Sequence, residues 1–313
     1  MSFSSLQDKE MKSSEFSNGG IPFKQKTEML LEVLSNIPNF VGETFVIKCS
    51  SMTISNRMLL NAFVHNVVLL KQLGINPVIV HDGECEINSV LKTLGMDSKF
   101  VNDIRLTDKD TVKIIEMALC GSVNKKIVQH INAAGGSAIG LCGKDGSLIK
   151  AEKISTTLRE NGSNNIEKIL DMGFIGVPTE INPDILFFVE ESDFIPVIAP
   201  IGYGGNEETY HVDADSTASA IAIAISASKM VTFSDADEEI DKIGGRKISV
   251  KSLNASINCG KIKGERLIEK LIACAKMVEE CAGTAHIVNG RIPNILIDLF
   301  TEDNLSVSIV NDL

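Results

Sequence analysis

No apolar run in this 313-residue chain approaches the roughly 20 residues that a membrane-spanning helix needs. The longest candidate, residues 218–227, is interrupted by Ser219 and Ser226. Basic charge is scarce as well. Thirty lysines and arginines face 41 acidic residues, and a net charge of −11 excludes a protein that lives on the nucleic-acid backbone. The seven cysteines make no CxxC pair and have no histidine partners at metal spacing, which argues against structural zinc and against a disulfide framework. Reduced thiols in a cytoplasm are the expectation. Residues 1–20 lack the apolar core of a secretion signal and, being polar and serine-rich, read as a disordered leader. Repeats and low-complexity tracts are absent too. What remains is 44% hydrophobic and 23% charged, a globular composition with enough chain to build a full core in two lobes.

The hydrophobic pattern alternates between short continuous apolar runs and longer amphipathic stretches. An amphipathic helix over 23–37, carrying Met29, Leu30, Leu31, Val33 and Leu34, precedes a buried strand at 44–47. A helix through Ala62, Val67, Val68, Leu69 and Leu70 ends at Gly74 and leads to a second buried strand at 77–80. The rhythm continues with helices at 85–94, 107–119 and 124–134 and strands at 137–141 and 194–200. A second block holds a helix over 216–227, a strand at 230–233, a helix over 267–281 and a strand at 284–288. Strand–helix alternation with short connections implies a mainly parallel sheet covered by helices on both faces, an α/β/α three-layer sandwich. The glycine-rich segment 202–210 marks the candidate boundary between a lobe of residues 21–200 and one of 201–313.

Ligands of open α/β sheets sit beyond the carboxyl ends of the strands, so the loops starting at Lys48, His81, Gly143 and Ser234 are where chemistry is expected. Lys48 is either a cation for phosphate oxygens or a solvated strand-end lysine. The loop His81-Asp82-Gly83-Glu84 offers a single glycine to an anion, and its two acids read as helix N-terminal residues. Asp215 competes with an N-cap role, Gly143-Lys144-Asp145-Gly146 with a plain turn, and Arg105 with a surface arginine. Lys270 faces either solvent or a ligand at its helix mouth. His211 and His286 read as core or edge histidines. From the residues alone, the chain is an α/β protein with an anionic-ligand cleft.

Several segments together carry a resemblance. Thr44-Phe45-Val46-Ile47-Lys48, the run from Val68 through Gly74 to His81, Arg105-Leu106-Thr107-Asp108, Gly173-Phe174-Ile175-Gly176 and Ile195-Pro196-Val197-Ile198-Ala199-Pro200 are similar in order and spacing to N-acetylglutamate kinases of the amino-acid kinase superfamily. The resemblance implies an amino-acid-binding, dimer-forming N-terminal lobe and an ATP-binding C-terminal lobe. It also implies transfer of phosphate from Mg-ATP to the γ-carboxylate of N-acetyl-L-glutamate in arginine synthesis, by a homodimer or hexamer that needs no nucleic acid, membrane or protein-held metal. By position, Lys48 and Lys270 stabilise the moving phosphoryl group and Asp215 holds them. Gly83, Glu84, Arg105 and His211 fall on the substrate side, and Ser234 and Asp235 on the nucleotide side.

The same positions carry departures. The family's paired glycines after the first lysine are Ser50 and Ser51, its His-Gly-Gly-Gly loop is His81-Asp82-Gly83-Glu84, and two substrate-side asparagines are His211 and Asp213. The stretch before the second lysine reads Glu265-Arg266-Leu267-Ile268-Glu269-Lys270. A carboxylate about 6 Å from a phosphate charge costs roughly 2–3 kcal/mol at an effective dielectric near 20. The sequence therefore leaves open a working acetylglutamate kinase, a silent binding or regulatory homologue, and a kinase whose acceptor has shifted.

Overall fold

Two apolar segments, Thr44–Cys49 and Asn76–His81, have every residue after the first buried, the signature of parallel strands covered on both faces. They pair in register, Thr44 opposite Asn76 through Cys49 opposite His81, at the centre of an eight-stranded sheet. In the computed structural model, which describes residues 23–101, 104–159, 167–235, 243, 245–301 and 304–312, the strands run in a defined spatial order. From one edge they are Lys247–Ser249, Val307–Val310, Thr284–Asn289, Lys229–Ser234, Thr44–Cys49, Asn76–His81, Ile195–Ala199 and Ala138–Cys142. Six are parallel; Val307–Val310 and its parallel neighbour Lys247–Ser249 run the other way at one edge. The leader expected at residues 1–20 lies outside the described residues.

Strand parity divides the core. Phe45, Ile47 and Cys49 point into an apolar cluster with Leu60, Phe63 and Val67 of the Arg57–Gln72 helix and with Ile127 and Ile131 of the Asn124–Ala133 helix. Val46 points to the opposite face, onto Ala218, Ile221 and Ala222 of the Ala214–Ala224 helix and Leu267 and Leu271 of the Glu265–Glu280 helix. The period of two then puts Lys48 on the face of Val46. That parity brings its ammonium under these last two helices. No helix among the described residues is long and apolar enough to cross a membrane.

The expected helices and strands are found, with ends moved by one to three residues. Two features differ from the sequence expectation. The helix expected over 107–119 is Lys109–Glu116, continued by a π-turn segment Met117–Val123. The region between 142 and 194 contains a long antiparallel hairpin, Ile149–Arg159 with Glu167–Ile181, which closes a small four-stranded barrel with Ile201–Tyr203 and Thr209–Val212. Its first strand is mostly charged and polar, and its second breaks up its apolar residues with Gly173, Gly176, Pro178 and charges, so neither carries the continuous apolar run that marks a buried strand. The Gly143 loop is the plain turn that the sequence offered, away from the chemistry: the Gly143 N–H donates to Ile201 O at 2.8 Å and Lys144 pairs with Glu116. The 202–210 segment spans Ile201–Tyr203 and the start of Thr209–Val212 within the barrel.

The hairpin is tied to the Arg105 segment at a single point. Thr107 bridges Gly173, and Phe174 N–H donates to Thr107 O at 2.7 Å. Gly173 has φ +80, and a Cβ on it would meet Thr107 O at 1.9 Å. We expect Gly173→Ala to lower stability by more than about 1 kcal/mol, read as a lower urea midpoint. An unchanged midpoint would mean that this contact does not hold the hairpin.

Candidate active site

At the carboxyl ends of the central strands lies a cleft of about 530 Å³. Lys48, Gly83, Glu84, Arg105, His211, Asp215, Asp235 and Lys270 all line it. Ser234, the remaining residue singled out in the sequence, is fully buried at the end of its strand just behind Asp235.

Lys48 is not a solvated strand-end lysine. Its side chain is 6% exposed and lies 3.0 Å from Asp215 and 3.8 Å from Asp82. Burial alone would push its pKa down, but Asp215 and Asp82 outweigh that and raise it, so the ammonium is charged. Lys48 and Thr232 are register partners on neighbouring strands, and the Thr232 hydroxyl donates to Asp215 Oδ1. Burial raises the Asp215 carboxyl, yet Lys48, Lys270 and Thr232 hold it below the ordinary value. Lys270, buried in the second turn of its helix, donates to Phe233 O at 3.3 Å.

Asp215 is not the N-cap of its helix. Asp213 is, its Oδ1 accepting from Ser216 N–H at 2.7 Å, which frees Asp215 in the first turn to face the lysines. Burial and the neighbouring Asp215 raise the Asp213 pKa. Arg105 is buried rather than on the surface. Its fork reaches Asn88 Oδ1 at 2.7 Å and Ser98 Oγ, and its plane lies over the Phe100 ring at 4.6 Å. His211 is pushed down to about 4 by burial and is neutral at physiological pH. His286, outside the cleft, is a buried core histidine bonded to Thr284 and Ser308.

The altered loops have definite structural roles. Asp82 Oδ1 accepts from Gly83 N–H at 2.5 Å and from Glu84 N–H at 3.1 Å. Ser51 Oγ accepts from Cys85 N–H at 2.8 Å. Side chains of the chain itself thus fill the amide donors where the Glu84–Thr93 helix begins. Gly83 packs closely, since a Cβ there would meet Leu119 Cδ2 at 2.3 Å and push that side chain aside. Sequence reasoning did not assign Arg266, which lies 3.3 Å from Glu84. An arginine in the first turn of a helix was its one visible signal. Among the described residues, five cationic and seven acidic side chains line the cleft, so an anionic ligand needs counter-charge of its own.

Residues 43–289 match the amino acid kinase family. Curated relatives include the acetylglutamate kinase of Ehrlichia canis (strain Jake), 48% identical over 299 residues, 94% of this chain and 92% of that protein. The acetylglutamate kinase of Sulfurihydrogenibium sp. (strain YO3AOP1) is 42% identical over 91% of this chain and 98% of its own. Among solved structures, N-acetylglutamate synthase from Neisseria gonorrhoeae, complexed with coenzyme A and N-acetyl-glutamate, superposes with a TM-score of 0.76 at 19% identity over 92% of this chain. This chain spans 64% of that protein. Carbamate kinase from Giardia lamblia bound to AMP-PNP gives 0.60 at 11% identity, over 87% and 99% of the two chains. At those identities the structural likeness establishes the fold alone.

Two outcomes follow from the buried charges. Asp215→Asn strands the Lys48 ammonium and should cost about 3–5 kcal/mol of stability by denaturant titration; a loss below about 1 kcal/mol would show that solvent reaches the lysine. His81, also pushed down to about 4 by burial, accepts from Asn124 through Nε2. Between pH 6.5 and about 4 the unfolded chain takes up protons that folded His81 and His211 refuse, so stability should fall as pH falls. His81→Gln should flatten part of that slope, and an unchanged slope would assign it elsewhere.

Proposed function

The chain belongs to the amino acid kinase family, and from that premise we propose that it transfers the γ-phosphoryl group of ATP to the γ-carboxylate of N-acetyl-L-glutamate. The observation that carries the proposal is the convergence of Lys48 and Lys270 on Asp215 at the floor of the cleft. Phosphoryl transfer needs little covalent help from protein; it needs reactants in line and positive charge where the three equatorial oxygens gather negative charge. Lys48 and Lys270 supply that charge from two sides, and Asp215 fixes their positions. No general base is required, because a side-chain carboxyl with an ordinary pKa of about 4.3 is already ionised at neutral pH.

Arg105, pre-set by Asn88, Ser98 and Phe100, binds a carboxylate of the acceptor, with neutral His211 beside it as a hydrogen-bonding group. On the nucleotide side, Asp235 Oδ1 is buried and has no hydrogen-bond partner among the described residues, so it fits a donor or cation arriving with the nucleotide. The Mg²⁺ carried by ATP neutralises phosphate charge when bound. In this reading residues 21–200 form the acceptor-binding lobe and 201–313 the nucleotide lobe. The setting is the cytoplasm, where the free thiols of all seven cysteines stay reduced.

A second reading has its own observation. Asp82 and Ser51 occupy the Gly83, Glu84 and Cys85 amides, which favours slow turnover or a binding homologue that no longer turns over. Hydroxylamine trapping with N-acetyl-L-glutamate and Mg-ATP separates the two. Product should form with the natural chain, vanish with Lys48→Ala, and rise about 10–100-fold with Asp82→Gly, the value of one carboxylate near a phosphate. Absence of product from folded protein, in both the natural chain and Asp82→Gly, would overturn transfer to N-acetyl-L-glutamate and leave the binding reading or a kinase with a shifted acceptor.

The Phe23–Asn36 helix leaves Met29, Leu30, Leu31 and Leu34 about half exposed, which supports a homo-oligomer built on that helix. Sedimentation should give at least a dimer, reduced in size by Leu30→Glu with Leu34→Glu. A monomeric mass for the natural chain would overturn this.

A further inference from the structure

Arg266 stands in the first turn of the Glu265–Glu280 helix, where exposed N–H groups already make the helix end positive. A cation is unfavourable there unless a negative group answers it. Glu84 does so at 3.3 Å, reaching from the start of the Glu84–Thr93 helix on the other side of the cleft. The same carboxylate lies 3.8 Å from Arg105. One carboxylate therefore sits between two guanidinium groups in the cleft.

The two arginines differ in exposure. Arg105 is 6% exposed and clamped by Asn88, Ser98 and Phe100, whereas the Arg266 side chain is 59% exposed. Arg266 also precedes Lys270 by four residues, so the two stand on one helix face about 5–6 Å apart at their Cβ atoms. A carboxylate between Arg105 and Arg266 would leave a second one within reach of Lys270.

We infer that Arg266 joins Arg105 as a second guanidinium for the non-reacting carboxylate of the acceptor, and that Glu84 occupies this seat while the acceptor is away. The inference deepens the acceptor reading above and adds to it a specificity residue and an internal competitor. With Glu84 in place, an incoming carboxylate must displace a like charge before it gains either fork. With Glu84 neutralised, that like charge is gone from between the two guanidinium groups. Arginine suits the position better than lysine, because its planar donors match a carboxylate in pairs.

Calorimetric titration without nucleotide tests this independently of turnover, using N-acetyl-L-glutamate, N-acetyl-L-aspartate and L-glutamate as probes. Thermal unfolding checks that each variant is folded. Arg266→Ala should weaken the tightest probe about tenfold, or about 1.4 kcal/mol. Arg266→Lys should recover only part of that loss. Glu84→Gln should tighten binding several-fold, and Arg266→Ala placed on Glu84→Gln should lose the gain. Unchanged affinity in folded Arg266→Ala, or weaker binding in Glu84→Gln, would overturn the inference, as would a natural chain that binds none of the three. Arg266-dependent binding of another probe in preference to N-acetyl-L-glutamate would support the seat and overturn the acceptor named above.

Discussion

The ion pair between Lys48 and Asp215 is the constraint around which the cleft is arranged. Neither partner could be buried alone, since an isolated charge in a protein interior costs several kcal/mol. Together, with Thr232 donating to the same carboxylate and Lys270 nearby, they hold a dense charge cluster at the end of the sheet. The pair fixes the Ala214–Ala224 helix against the Thr44–Cys49 strand at the level where the sheet ends. Small side chains keep the next layer close: Ser219 donates to Ala273 O at 2.7 Å, tying that helix to the one bearing Lys270.

The loops on the opposite wall show a different economy of charge. Glycine-rich loops bind phosphate because bare amides can approach it. Here Asp82 and Ser51 satisfy those amides within the chain, and Asp82 also stands 3.8 Å from Lys48. These contacts stabilise the cleft, because otherwise open donors and a buried ammonium are answered. An anionic ligand must then compete with groups that are already seated. Glu84, held between Arg105 and Arg266, repeats this logic on the acceptor side.

Much of the architecture was legible from the apolar runs. The central strands are buried on both faces, so their sequences are continuous and bounded by glycine or proline, and their order along the chain implied a parallel sheet. The Ile149–Arg159 and Glu167–Ile181 hairpin escaped because charges, glycines and a proline interrupt its apolar residues, so no continuous run marks it. The Phe23–Asn36 helix reads as amphipathic, and most of its apolar stripe is exposed in the single chain. Periodicity reports that a face is apolar and cannot report what covers it.

For the site, the sequence by itself determined which charged residues fall at strand ends and helix starts, and so fixed Lys48, Arg105, Asp215 and Lys270 as candidates. It could not decide whether Asp215 caps its helix or faces the cleft, because the residue lies at the helix start. Only the tertiary structure decided that Asp213 takes the cap and Asp215 the lysine, since that choice depends on the strand register that sets Thr232 beside Lys48. The meeting of Glu84 with Arg266 likewise joins residues 182 apart in sequence. Spacing along a chain records local geometry, whereas a contact across a cleft exists only once the sheet has placed both walls.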